Sequence, residues 1–355
     1  MLPYLGESFG NPSGVHEVAR RAKDAVEEAR ERAAVLVGAA RPLDVVFTGG
    51  GTESDNLGVV GAAIGAGGGV AVSAVEHPAV LESARFLERL GRRLVVVGVD
   101  SSGMVDPGEV ASAASDDGVG VVSVMAANNE TGTVQPVAAV AEAVRRAAPG
   151  VVVHTDAVQA FVSEVDDSYL DADLVTIASH KLGGPKGVGL LRVGETIPLE
   201  PVLHGGGQEL GRRSGTHDVA GIVGMVAAMG AAVANRDRFR KSVLDARSRF
   251  EEALTEHLGA RRTVSGPRLV QHSHMRIPGV DVEALLIRLD GVGVFAAAGS
   301  ACHSGAIEVS HVLAAMGMGA ASASECVRFT FGWTTQPVDG DRAAALVVEA
   351  AKAVR

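Results

Sequence analysis

Ser179-His180-Lys181 directly follows the apolar run Leu174–Ala178, and Leu182-Gly-Gly-Pro-Lys-Gly187 follows it in turn. A lysine at a strand end beside glycines has little bulk around its amine. In a desolvated site with cationic neighbours such an amine loses its proton and attacks a carbonyl. A surface lysine in a Gly-rich turn is the alternative, and Lys186 competes for the role. Asp156 closes a second apolar run, Val151–Thr155, with Gln159 three residues on. A carboxylate there can pair with a protonated ring nitrogen and make the ring an electron sink, or it can cap a helix. Phe47-Thr-Gly-Gly-Gly-Thr-Glu-Ser-Asp-Asn56 runs through three glycines toward a helix. The backbone N–H groups ending at Gly51, with the Thr52 hydroxyl, suit a phosphate. It is neither a Walker loop nor a GxGxxG turn. His77 lies between an apolar run and Pro78, placed to stack on a flat ligand, to shuttle a proton, or simply to precede a helix. Asn128-Asn129-Glu130-Thr131-Gly132 follows another run. It can bind a carboxylate or only form a turn.

These groups need strands to carry them. Asp44–Thr48, Gly69–Val75, Arg93–Val99, Val119–Ala126, Val151–Thr155 and Leu174–Ala178 read as strands, with amphipathic Pro78–Leu90 and Pro136–Ala148 as helices between them. Strands alternating with helices predict an α/β fold with a mainly parallel sheet covered on both faces. Its strand ends should converge on one crevice, so the reactive residues gain joint weight that none has alone. After Gly215 the character changes. Asp218–Ala234 predicts a buried helix of small apolar residues, and Arg236–Leu258 a long, charged, exposed one. The boundary is placed near residue 235, giving domains 1–235 and 236–355. The second is a smaller α/β or α+β unit with a strand near Val327–Phe331.

Composition narrows the classes. The chain has 355 residues, 47% hydrophobic and 21% charged, which suits a globular protein of two domains. A net charge of −10 gives no basic face for nucleic acid. Apolar stretches are broken by Gly, Asp or Arg before they reach a membrane span, and the N-terminus has no signal-peptide pattern. A cytoplasmic location is expected. The two cysteines, Cys302 and Cys326, make no CxxC and no zinc spacing, so no metal is expected.

At this point the sequence resembles the class V aminotransferase family of pyridoxal-phosphate (PLP) fold type I and, more narrowly, the group I cysteine desulfurases. The motifs are FGNPSGVH (9–16), FTGGGTESDNL (47–57), EHPAV (76–80), NNETGTVQ (128–135), HTDAVQ (154–159), SHKLGGPKGVG (179–189), HGGGQELGRRSGT (204–216), GSACHSGAIEVSHVLAAMG (299–317) and VRFTFG (327–332). They span nearly the whole chain in family order. The resemblance implies a seven-stranded large domain and a small C-terminal domain carrying the Cys302 loop. It implies that Lys181 holds the PLP covalently, His77 stacks on its ring, Asp156 faces the ring nitrogen and Gln159 the ring oxygen. Gly51, Thr52, Ser179 and His180 would hold the phosphate, with Thr216 reaching in from the second copy of a homodimer. Asn129 and Arg328 would take the substrate carboxylate. Lys181 would remove the α-proton of L-cysteine, and the Cys302 thiolate would attack its sulfur. Alanine would leave, with a persulfide on Cys302 for a sulfur-acceptor protein. The small, polar surroundings of Cys302, with His303 beside it, suit a reactive thiolate. Cys326 precedes an apolar strand and is expected to be buried and inert.

The sequence departs from the family at several points. Met1 stands eight residues before Phe9, whereas the resembling enzymes have a Leu-Asp-x-Ala-Ala-Thr-Thr segment upstream; either the start is misassigned or, if this start is native, a more open pocket and an altered activity are expected. Ala178 stands where a phosphate-binding serine is common, Leu210 and Arg212 are unusual, and the chain stops at Arg355 without the tail that docks an iron–sulfur scaffold. Alternatives are a PLP-dependent C–S lyase, which Cys302 opposes because elimination needs no thiol, a selenocysteine lyase, which Cys302 does not oppose in the same way, and a catalytically weak sulfur-carrier or assembly subunit.

Overall fold

A computed structural model describes residues 1–164, 166–299 and 310–355. They divide into two compact units. The first comprises Met1–Val97, Asp106–Ala126 and Pro136–Asn235, and the second Gly98–Val105, Ala127–Gln135 and Arg236–Arg355. The division at 235/236 falls inside one helix, Val219–Leu258, where the sequence predicted two helices. No residue between Ala234 and Arg236 breaks the backbone pattern; only the polarity of the side chains changes. By length and composition this helix is apolar enough to cross a membrane, contrary to the sequence expectation. Its buried Ile222, Met225, Val226 and Met229 recur at the spacing of a helix face turned to a core.

The first unit is built on seven strands: β1 (Val45–Thr48), β2 (Gly69–Ser73), β3 (Leu94–Val97), β4 (Val119–Ser123), β5 (Val152–Asp156), β6 (Leu174–Ala178) and β7 (Gly189–Val193). Their order is β1-β7-β6-β5-β4-β2-β3. From β6 to β3 all neighbours are parallel, while β7 runs antiparallel to both β6 and β1. After edge strand β3 the chain returns to the other side of β2, so the order reverses between β2 and β4, the kind of point where such sheets bind ligands. The central strands are buried along their whole length, as a sheet covered on both faces requires. Valines and leucines such as Val72, Val121, Leu174 and Leu191 form one face's core with Leu57, Val80 and Leu87. Within this apolar sheet Ser73, Ser123, His154, Asp156 and Thr176 are buried polar exceptions.

The second unit has an antiparallel sheet of β8 (Arg261–Arg262), β9 (His272–Arg276) and β10 (Cys326–Thr330), with β9 in the middle. Phe250, Met275, Leu285, Val327, Phe329 and Val347 fill its core, and the Phe250 and Phe329 rings meet edge to face at 4.8 Å.

Candidate active site

β6 ends at Ala178 and the chain turns at once through a short helical turn, Ser179–Leu182, which carries Lys181. Gly183 ends the turn at φ 78°, a left-handed value that glycine takes without strain. A Cβ on Gly184 would lie 2.2 Å from Ser179 Oγ, so a side chain there would have to displace the Ser179 hydroxyl. His180 and Lys181 are exposed, and Ser179 is buried. The Ser179 hydroxyl oxygen has no hydrogen-bond partner, which a buried hydroxyl rarely tolerates.

Asp156 lies one strand over, at the end of β5, in register with Thr176. Its Oδ1 accepts a hydrogen bond from the Val158 N–H at 2.9 Å. Burial pushes the carboxyl up to about 6, against the pull of the Val158 N–H and the Lys181 charge. Of the two lysines, it is Lys181 whose charge acts on Asp156. Gln159 is half-buried in the turn that follows.

At the end of β1, Gly49 and Gly50 lead into a helical stretch that begins at Gly51. Gly50 has φ 141°, and a Cβ on Gly51 would lie 3.2 Å from both Ala178 and Val158 side chains. The turn is therefore seated against the β5 and β6 ends. Glu53 clasps it, accepting from the Gly49 N–H at 2.8 Å and from Arg213 at 2.7 Å. Thr52 is exposed. After β2, His77 caps the helix Pro78–Arg89, its Nδ1 accepting from the Ala79 N–H at 3.1 Å. It thus fills the structural role foreseen for it while remaining half-buried. The glycine turn, Ser179, Lys181, Asp156, Gln159 and His77 all belong to the first unit.

Sequence reasoning gave no role to three acidic groups of this unit. Glu76 is fully buried; its Oε1 accepts from Ser73 Oγ at 2.5 Å and from the Met125 N–H at 2.7 Å. Burial raises it to about 8. Asp55 is also buried and held well above the ordinary carboxylate range by burial and by the nearby Asp156 charge. Glu209 is the opposite case. Burial works against its charge, but His217 and Arg30 outweigh it and bring it to about 2. Arg30 donates to both oxygens at 2.7 Å, His217 Nε2 lies 2.6 Å away and the Phe47 N–H donates at 3.1 Å. Glu209 thereby ties the helix Glu17–Leu36 and β1 to the segment that ends at Thr216, itself exposed. The visible signal was that each acid sits inside a quoted motif; its burial was not legible.

In the second unit, Arg328 on β10 donates to the Asn129 carbonyl at 2.9 Å. The structure therefore brings these two predicted residues together. Burial lowers the Arg328 pKa, opposed by the charge of Glu130. Asn128 holds its own turn, its Oδ1 accepting from the Glu130 and Thr131 N–H groups. Cys302 lies outside the described residues. Cys326 is buried and its thiol is pushed up to about 12, chiefly by burial.

The donor set of the first unit fits a phosphorylated aldehyde with a basic ring. A lysine whose charge acts on a buried carboxyl lies one strand over from it, a buried serine hydroxyl has no partner, and a glycine turn leads into a helix. The comparisons agree. The sequence model of the family "Aminotransferase class-V" matches residues 1–341. The cysteine desulfurase IscS of Methanosarcina thermophila is 37% identical over 100% of this chain and 88% of its own length. That of Dictyoglomus turgidum is 38% identical over 96% and 86%. A solved "NifS-like protein" superposes with a TM-score of 0.90 at 32% identity, covering 98% of this chain and 93% of its own. The chain belongs to the class V aminotransferase family and, within it, to the cysteine desulfurases.

Proposed function

We infer that the chain converts L-cysteine to L-alanine and keeps the sulfur as a persulfide on Cys302 for transfer to an acceptor protein. The observation that carries this is that Lys181 and Asp156 stand at the ends of adjacent strands, where the lysine charge acts on the carboxyl, in a chain whose relatives are cysteine desulfurases. Asp156 and Gln159 would hold the PLP ring, His77 would cover its face, and the Gly51 turn, Thr52, Ser179 and His180 would hold its phosphate. Thr216 would come from the second copy of a homodimer. When bound, PLP supplies a sink for the electrons of the substrate Cα–H bond.

The chain's own residues do the rest. Arg328 and Asn129 bind the substrate carboxylate. Lys181 Nζ takes the Cα proton. The Cys302 thiolate attacks the substrate sulfur; the sulfur–Cβ bond breaks and its electron pair goes to Cβ, and one proton delivered to Cβ and another returned to Cα complete alanine. The attack needs a thiolate, which the buried Cys326 cannot provide near neutral pH. Borohydride treatment of the PLP-loaded protein followed by peptide mapping tests the cofactor assignment. The cofactor mass should appear on the Lys181 peptide and be absent from Lys181→Ala. Its appearance on Lys186 would refute the assignment.

A further inference from the structure

The face of the sheet that bears Asp156 also bears a buried polar row. His154 precedes Asp156 by two on β5, so both point the same way. Ser123 of β4 is in register with His154, and Thr176 of β6 with Asp156. His154 Nδ1 lies 2.8 Å from Ser123 Oγ, and its Nε2 lies 3.0 Å from Thr176 Oγ1. The helical stretch after Gly51 packs on this row through Asp55 and Gly58, one turn apart. A Cβ on Gly58 would come within 2.7 Å of the His154 ring, so glycine is what lets the helix approach. Asp55 Oδ1 lies 3.7 Å from His154 Nε2 and accepts no hydrogen bond. All these side chains are buried. Uncompensated polar groups in such surroundings are costly, so the row calls for a role.

A proton inventory sets its possible states. Thr and Ser hydroxyls each donate once and can accept, and a neutral imidazole donates from one nitrogen only. Asp55 shares a side-chain hydrogen bond with Thr176; if Asp55 carries a proton, it donates to Thr176, Thr176 donates to His154 Nε2, and His154 Nδ1–H donates to Ser123. If Asp55 is charged, every bond reverses and His154 carries its proton on Nε2. The groups around Asp55 are Asp156 and Glu76, both acids, and His154. Burial holds His154 neutral, at about 3. The Lys181 charge acts on Asp156. Carboxylates this close do not all ionise.

We propose that Asp55 is a positioning residue of the cofactor site: it carries a proton, orients the chain Asp55–Thr176–His154–Ser123 in one direction, and leaves Asp156 free to hold the negative charge. The cofactor part of this rests on the function proposed above; the proton chain does not. NMR of ¹⁵N-histidine-labelled protein without cofactor, assigned with His154→Asn, should show His154 as the Nδ1–H tautomer. Infrared difference spectra of wild type against Asp55→Asn should show loss of a carboxylic-acid carbonyl band. Asparagine also donates to Thr176, so Asp55→Asn should keep both the tautomer and the affinity for PLP. Asp55→Ala should lose about tenfold or more in affinity, the scale seen when a supporting partner of a ligand-binding group is removed. An Nε2–H tautomer, or loss of a carboxylate band instead, overturns the proposal even if the variant folds poorly, because the tautomer is read on the wild type. Failure to bind PLP at all would defeat the cofactor assignment and leave the tautomer result standing.

Discussion

Replacing Glu209 with glutamine removes the charge on which Arg30, His217 and the Phe47 N–H converge. The side chain is nearly fully buried, so solvent screens little of the effect. Its folded-state value falls from the ordinary 4.5 to about 2, and that difference corresponds to about 3 kcal/mol of stability. Breaking one partner of a buried ion pair costs a similar amount, about 3–5 kcal/mol. The expected fall in melting temperature is about 6–12 °C, at roughly 2–4 °C per kcal/mol for a unit of this size. Because the folded value is depressed, the stabilisation is present in full above 4.5 and is lost as pH falls through about 2. The gap between wild type and Glu209→Gln should therefore be constant above about pH 5 and shrink below it. Thermal unfolding across a pH series measures it. A loss below about 1 kcal/mol, or a gap that does not narrow in acid, would refute the ion-pair account.

Glu76 should behave with the opposite sign. Its value is raised from 4.5 to about 8, so its stabilisation is present below 4.5 and is lost as pH rises through about 8. Glu76→Gln should gain on the wild type steadily over that interval, by a few kcal/mol at about 1.36 kcal/mol per pH unit, as measured by unfolding at each pH. For Asp156, raised to about 6 in the absence of ligand, PLP affinity should fall as pH drops below about 6, and Asp156→Asn should abolish that dependence in equilibrium dialysis. Gly58→Ala should cost about 1–3 kcal/mol by overpacking the His154 ring, despite alanine's better helix propensity; an unchanged or higher melting temperature would contradict the close approach.

The parallel strands were legible because Val- and Leu-rich runs bounded by glycines leave little other choice, and β6 falls on the residues expected, Leu174–Ala178. β7 escaped because Gly-Leu-Leu-Arg-Val is short and follows a glycine-rich turn; it is a strand because β1 and β6 flank it. β9 escaped for a different reason. His-Ser-His-Met-Arg has no apolar alternation, yet four of its residues are buried between β8 and β10. Tertiary pairing decided that segment, not its composition. In the candidate site, Lys181 and Asp156 were legible from their places at strand ends. Asp55, Glu76 and His154 were not, because a polar residue inside a strand or helix shows its burial only once the neighbouring elements are packed. The segments Gly98–Val105 and Ala127–Gln135 group with the C-terminal unit, a long-range association that a single cut at residue 235 cannot express.

The central claim is the desulfurase chemistry, and the most direct measurement is alanine formed from L-cysteine by the PLP-loaded protein, with mass mapping of the Cys302 peptide in the same sample. Alanine production with one added sulfur on Cys302, both lost in Cys302→Ala and in Lys181→Ala, is the predicted result. Bound PLP without alanine, or alanine undiminished in Cys302→Ala, would contradict it.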